Sequence, residues 1–191
     1  MRSLVEIARA AETCERCRLA EGRTQVVFGT GNPSAELMFV GEGPGAEEDR
    51  QGLPFVGRSG QLLDRLMAEE IGLTREECYI ANMVKCRPPQ NRDPEPDEIE
   101  ACRPYLEAQL EFINPAVVVC LGRFAAKSLL GSDQKLTALR GRVYRYRRGF
   151  LVPTYHPAAA LRGGSTVLAE MRADFVRARA ALVAFREKES A

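Results

Sequence analysis

Three short apolar runs decide the kind of fold open to this chain. Residues 36–40 (ELMFV), 78–81 (CYIA) and 116–121 (AVVVCL) are almost continuously apolar. They are too short for buried helices, so they read as strands covered on both faces. The segments between them carry helical spacing. One helix is expected from a cap at Ser59 to about Glu70, one from about Asp97, and a short one after Gly122 to Leu130. Pro104 is expected to kink or interrupt the second of these. Strands alternating with helices argue for an α/β fold with a parallel sheet sandwiched between helical layers. At the edges of this pattern, Ser3-Leu4-Val5-Glu6 is a capping box opening a helix to about Thr13. Residues 142–146 and 150–154 flank Arg147-Arg148-Gly149 as a hairpin or two short strands, and a last helix spans roughly 165–187. The length of 191 residues suits one domain over 1–191.

The first strand empties into a glycine-rich stretch, 41–60, too long and polar for a plain connector. Gly41-Glu42-Gly43-Pro44-Gly45-Ala46 formally matches the dinucleotide fingerprint. That reading fails on the residues that follow. Glu47-Glu48-Asp49 would repel a pyrophosphate where a helix N-terminus must attract it, and Pro44 removes an amide donor. The loop instead offers carboxylates and backbone amides at the carboxyl end of a parallel strand, where open α/β sheets bind ligands. Asn82 ends the second strand, and His156, the sole histidine, follows the run 150–154. Both are expected at the same edge. A lone histidine is more often structural, but a strand exit is poorly placed for a core role. Phe55, between Pro54 and Gly57 in a polar loop, is either a loop anchor or an aromatic face offered to a ligand.

Six cysteines fall into two groups. Cys78 and Cys120 lie inside apolar runs and read as small buried hydrophobes. Cys14-x-x-Cys17 has chelate spacing, while Cys86 and Cys102 sit in polar surroundings. Disulfides do not suit a reducing compartment. The fifteen residues between Cys86 and Cys102 lack the paired knuckle of most zinc ribbons. An iron–sulfur cluster accepts thiolates from scattered positions. On spacing alone, cluster and zinc both stay open.

The formal net charge of +1 excludes a general polycation, yet charge is unevenly spread. Residues 93–111 hold seven acids and one base, whereas 123–165 hold nine bases and one acid. That asymmetry would let one face approach a phosphate backbone, although an uneven solvated surface explains it equally well. No run approaches a membrane span and the N-terminus is not signal-like, so a cytoplasmic, nucleoid-associated protein is expected.

Several of these segments together resemble family 4 of the uracil-DNA glycosylases. They are Cys14-x-x-Cys17, Gly41-Glu-Gly-Pro-Gly-x-x-Glu-Asp49, Gly52-Leu-Pro-Phe-Val-Gly57 and Ala81-Asn82. Val84-Lys-Cys-Arg-Pro-Pro-Gln-Asn-Arg92, Cys102-Arg103 and His156-Pro-Ala158 complete the set, in order over most of the chain. The resemblance implies a three-layer α/β/α sandwich around a central, mostly parallel four-stranded sheet. It implies one [4Fe-4S] cluster on Cys14, Cys17, Cys86 and Cys102, with a structural role. It further implies a monofunctional, monomeric enzyme that releases uracil from single- and double-stranded DNA and leaves an abasic site. A sliding-clamp or polymerase partner is left open.

The same resemblance assigns roles that chemistry makes sensible. Such an enzyme must flip the base into a pocket and read its Watson–Crick edge. Phe55 would be the stacking platform, and the Asn82 amide would donate to uracil O4 and accept from N3–H, a pattern cytosine reverses. His156 would stabilise the departing uracil anion at O2, and backbone amides at Glu42 and Gly43 would hold other oxygens. Two departures stand out. Family 1 enzymes place a water-activating aspartate where this chain has Gly43, which leaves Glu42 and Glu48 as candidate catalytic carboxylates and Asp49 as a third. Related enzymes carry a leucine wedge where this chain has Ala160, so Leu161 is expected to take that role, with Arg162 and the basic residues of 140–148 as phosphate contacts. Relatives that trap DNA covalently use a histidine in an inserted loop near 87–92, which is missing here.

Overall fold

The computed structural model describes residues 3–190. Ser3 caps α1 (Leu4–Glu12): its hydroxyl accepts from the Glu6 amide while the Glu6 carboxylate accepts from the Ser3 amide. A short helix α2 (Leu19–Gly22) follows, then two residues of edge strand β1 (Thr30–Gly31). The three apolar runs become β2 (Leu37–Gly41), β3 (Tyr79–Asn82) and β4 (Val117–Leu121), every residue of them buried. The basic segment forms an antiparallel pair, β5 (Tyr144–Tyr146) and β6 (Gly149–Thr154).

The sheet order is β1-β3-β2-β4-β6-β5. Its central four strands, β3, β2, β4 and β6, run parallel as expected. Two short antiparallel strands at the edges extend it to six, and β1 was not legible in its glycine-rich sequence.

Side-chain alternation splits the core into two layers. Leu37, Phe39, Ile80, Val117, Val119 and Val152 face one way, onto α4 (Arg58–Leu66) and the C-terminal helix α8 (Pro157–Glu189). Met38, Val40, Ala81, Val118 and Leu151 face the other, onto α1, α5 (Pro96–Ile113) and α6 (Arg123–Leu130). The result is the expected three-layer sandwich.

Several local expectations need correction. The stretch 41–60 holds a helix, α3 (Ala46–Gln51), whose first turn is Glu47, Glu48 and Asp49. Acidic residues favour a helix N-terminus, so the triplet that repels phosphate also builds the helix. Helix α4 is capped at Gly57 rather than Ser59 and continues into a π-helical turn, Met67–Ile71. Helix α5 runs through Pro104 without interruption, because Cys102, Tyr105, Leu106, Gln109 and Leu110 anchor it in the core on both sides of the proline. A short helix α7 (Leu136–Leu139) was not foreseen. The last helix begins at Pro157, eight residues before the expected start, and is broken at Gly164 (φ 73°, ψ −160°). The seven residues before that break form a separate short helix hanging from the end of β6.

Phe39 and Phe175 stack with ring centroids 5.6 Å apart, joining sheet to α8. Both are fully buried. Phe175→Ala is expected to cost about 3–5 kcal/mol of stability. Urea denaturation should show this as a lower midpoint at an unchanged slope.

Candidate active site

The C-terminal ends of the four parallel strands deliver the site. In register, Gly41 at the end of β2 lies beside Asn82 at the end of β3. Gly122 follows β4, and His156 follows β6. Past the strand ends, Met83 donates to the Gly41 carbonyl (2.9 Å) and Val84 to that of Glu42 (3.1 Å), so the two exit loops run on as a pair.

Glycine at 41 is a spatial necessity. A Cβ there would fall 2.4 Å from Asn82 Oδ1 and 2.6 Å from Phe55 Cζ. Its absence lets the Asn82 amide and the Phe55 ring meet over bare backbone. Asn82 is 1% exposed, and its Oδ1 has no hydrogen-bond partner among the described residues. A buried acceptor left unpaired costs about 1–3 kcal/mol, so it calls for a donor from outside. The Asn82 backbone is pinned from behind: Lys85 Nζ donates to its carbonyl at 2.8 Å and to Gln109 Oε1 at 2.5 Å. Gln109 in turn donates to the Phe28 carbonyl and the Tyr79 hydroxyl. Burial pulls the Lys85 ammonium down to about 8, with the Cys102 thiol opposing the shift.

His156 is the N-cap of α8. Its Nδ1 accepts from the Ala158 amide at 3.2 Å, which assigns the ring proton to Nε2. Burial, then Arg162, pulls its pKa down to about 4, against the pull of Glu48. At neutral pH the ring is an uncharged donor through Nε2. Its centroid lies 5.5 Å from that of Phe55 with planes tilted 31°.

The carboxylates divide sharply. Glu48 Oε1 accepts from the Val56 and Gly57 amides, both at 2.9 Å, and Oε2 from Gly45 at 3.1 Å. It ties α3 to the loop carrying Phe55. Asp49 is buried and accepts from the Thr24 amide at 2.9 Å. Among the described residues, Glu42 has no such amide partner. Burial, then Asp93, holds its carboxyl above the usual range, while Arg123 opposes.

Cys14, Cys17, Cys86 and Cys102 line one small cavity with Ala11, Lys85 and Tyr105. The thiols are unpaired with one another. Arg23 Nη1 donates to the Cys14 carbonyl (2.6 Å) and lies 3.6 Å from Cys86 Sγ; the Lys85 amide donates to Cys102 Sγ at 3.3 Å. Burial raises Cys86 to about 11 and also raises Cys17 and Cys102. Among the described residues, no group of three or more histidine, cysteine or acidic side chains is arranged around a single ion. Cys78 and Cys120 are buried in the two core layers, as expected.

A family model for the uracil DNA glycosylase superfamily matches residues 28–182. The chain is 48% identical to a type-4 uracil-DNA glycosylase of Sulfurisphaera tokodaii, over 84% of this chain and 77% of that one. It is 48% identical to one of Archaeoglobus fulgidus (84% of each) and 46% identical to one of Thermotoga maritima (85% of each). The chain belongs to the type-4 uracil-DNA glycosylase family. Seen within that family, its two departures acquire a physical basis. At Gly43 a Cβ would meet Val84 Cγ2 at 2.7 Å, so an aspartate there needs Val84 to move. At the wedge position Ala160 is buried in the core, while Leu161 is 43% exposed and Arg162 is exposed beside it.

The basic stretch is a different matter. Arg140 is held by Asp174 and Glu170, and Arg147 by Glu107. The turn at Arg147 and Arg148 precedes β6, at the sheet edge opposite His156. Six strand residues at ~3.3 Å each put it about 20 Å from the site, so this turn does not serve as a phosphate contact there. The reading from sequence also missed Gly41, Lys85 and Gln109. The only signal for Lys85 was a charged residue directly after an apolar strand exit.

Because the chain has one histidine, its protonation can be followed directly. The imidazole C–H resonances are expected to titrate near pH 4 rather than the ordinary 6.5. Unfolded chain takes the proton first as pH falls, so the stability this group contributes is complete above pH 6.5 and lost towards pH 4. A midpoint near 6.5 in the folded protein would contradict the neutral-donor geometry.

Proposed function

We infer that this chain hydrolyses the N-glycosidic bond of deoxyuridine in DNA, releasing uracil and leaving an abasic site, and that it does so as one domain. The observation that carries this reading is the buried, unpaired Asn82 Oδ1, set beside Phe55 and a neutral His156. A flipped uracil satisfies it: N3–H donates to Oδ1 and O4 accepts from Nδ2, with the ring stacked on Phe55. Cytosine offers an acceptor at N3 and is refused.

As the bond between C1′ and the base breaks, negative charge grows on uracil and positive charge on the sugar. His156 Nε2–H, fixed by the Ala158 amide, donates to uracil O2 as it becomes anionic. No proton leaves the histidine, since its neutral form is the donor. Amides at Glu42 and Gly43 hold the other uracil oxygens. Glu42 is the carboxylate that stabilises the sugar cation and orients the attacking water. Glu48 fits this poorly, its oxygens being engaged by three amides, and we reassign it to holding the Phe55 loop. Water adds to C1′ as the C1′–N1 bond breaks, and the proton that the water loses ends on N1 of the departing uracil, so none is released overall. Leu161 fills the vacated stack, and Arg162 meets a flanking phosphate. Both single- and double-stranded DNA are substrates in this reading, since the contacts that read the base are to the flipped nucleotide alone.

We assign a [4Fe-4S] cluster to Cys14, Cys17, Cys86 and Cys102. The four thiols share a cavity, and two N–H groups point at sulfur from Arg23 and Lys85, as cluster thiolates require. When bound, the cluster supplies a cross-link between the N-terminal helices and α5. A monomer at the nucleoid in the cytoplasm fits this activity.

Single-turnover cleavage of a uracil duplex, followed by alkali and a gel, tests the reading. His156→Ala is expected to lose about 100- to 1000-fold. Asn82→Asp is expected to lose about tenfold or more. A wild-type rate for Asn82→Ala would sink the specificity assignment, and a dead Glu42→Gln beside a normal His156→Ala would reverse the ranking. For the metal, anaerobic protein is expected to be brown with about four irons per chain. Cys102→Ser should bleach it and Cys120→Ser should not; stoichiometric zinc without iron would refute the cluster.

A further inference from the structure

Phe55 has φ of 54°, a left-handed backbone that a bulky side chain adopts only when its surroundings enforce it. Glu48 grips the amides that follow it. The carbonyl side is gripped by a residue outside the site. Arg75 opens the 3-10 turn Arg75–Glu77 between the π-helical turn and β3. Its Nη1 donates to the Pro54 carbonyl at 2.9 Å, and its Nη2 donates to that of Phe55. Its Nε donates to Asp64 Oδ1 at 3.0 Å, which fixes the plane of the guanidinium from α4. The Phe55 carbonyl also lies against Gly60, where a Cβ would fall 1.7 Å from its oxygen. So the strained residue is clamped by a carboxylate on one side, a guanidinium on the other, and a missing side chain beneath.

We propose that Arg75 is a positioning residue for the base-stacking platform: its fork across two consecutive carbonyls holds Phe55 in the left-handed conformation that turns the ring toward Asn82 and His156. The proposal rests on Phe55 being that platform. Arg75 touches no substrate and acts only through the 54–55 backbone. A lysine cannot replace it, since a point-charge ammonium does not present two coplanar donors.

The test is a double-mutant cycle on the protein as purified with its metal, read as single-turnover uracil release. R75M is expected to slow cleavage about tenfold or more, the scale on which a small misplacement acts, and R75K is expected to rescue little. In an F55A background, R75M is expected to add no further loss. D64N, which frees the guanidinium without removing it, is expected to shift the rate in the same direction by less, and it serves if R75M does not fold. Equal losses from R75M in both backgrounds would show a general structural role and overturn the proposal, as would a wild-type rate for both R75M and D64N while F55A is slow. A wild-type rate for F55A would remove the platform reading itself, and the proposal with it.

Discussion

The parallel register of β2 with β3 and β4 is the constraint on which the site depends. Pairing Gly41 with Asn82 brings the first exit loop and the reading amide to one level, and the β4–β6 pairing brings His156 to the same edge. A slip of one residue would turn every strand side chain to the opposite layer. Phe39 would then leave Phe175, and Val40 would enter the layer that α8 covers. The apolar pattern that stabilises the sandwich thus also fixes which three residues meet above it.

Above that edge the polar groups obey a division of labour set by hydrogen bonding. Glu48 and Asp49 accept from backbone amides and shape the loop; Lys85 and Gln109 are engaged by each other and by carbonyls. Among the described residues, Asn82 Oδ1, His156 Nε2–H and Glu42 are groups at this edge that keep capacity in reserve. In the proposed reading chemistry falls to these three, because amides and carbonyls engage the others. The electrostatics agree, since burial disfavours charge on both Glu42 and His156.

Much of this was legible in the sequence. Continuous apolar runs announced a doubly covered parallel sheet, and polar residues at strand exits marked Asn82 and His156. Proline and acidic residues argued against a phosphate cradle at Gly41. What stayed hidden depends on contacts distant in the chain. Arg75 reads as an ordinary surface arginine, because nothing local says that it faces carbonyls twenty residues earlier. Glu48 read equally as a catalytic carboxylate or as a cap on backbone amides, because the amides it binds lie eight and nine residues on, in a loop whose path sequence does not define. Pro104 misled in the opposite sense, since tertiary burial of α5 outweighs a local breaker.

The break at Gly164 has a mechanical consequence. It isolates the seven residues from Pro157 to Gly163 as a stiff pawl, rooted at one end by the His156 cap and at its middle by buried Ala160. Leu161 and Arg162 project from the free side of that pawl, about 8 Å along the axis from the imidazole at ~1.5 Å per residue. A load applied at Leu161 would therefore reach the histidine through helical backbone rather than be absorbed by a loose loop. Leu161 and His156 are thus two ends of one helical part.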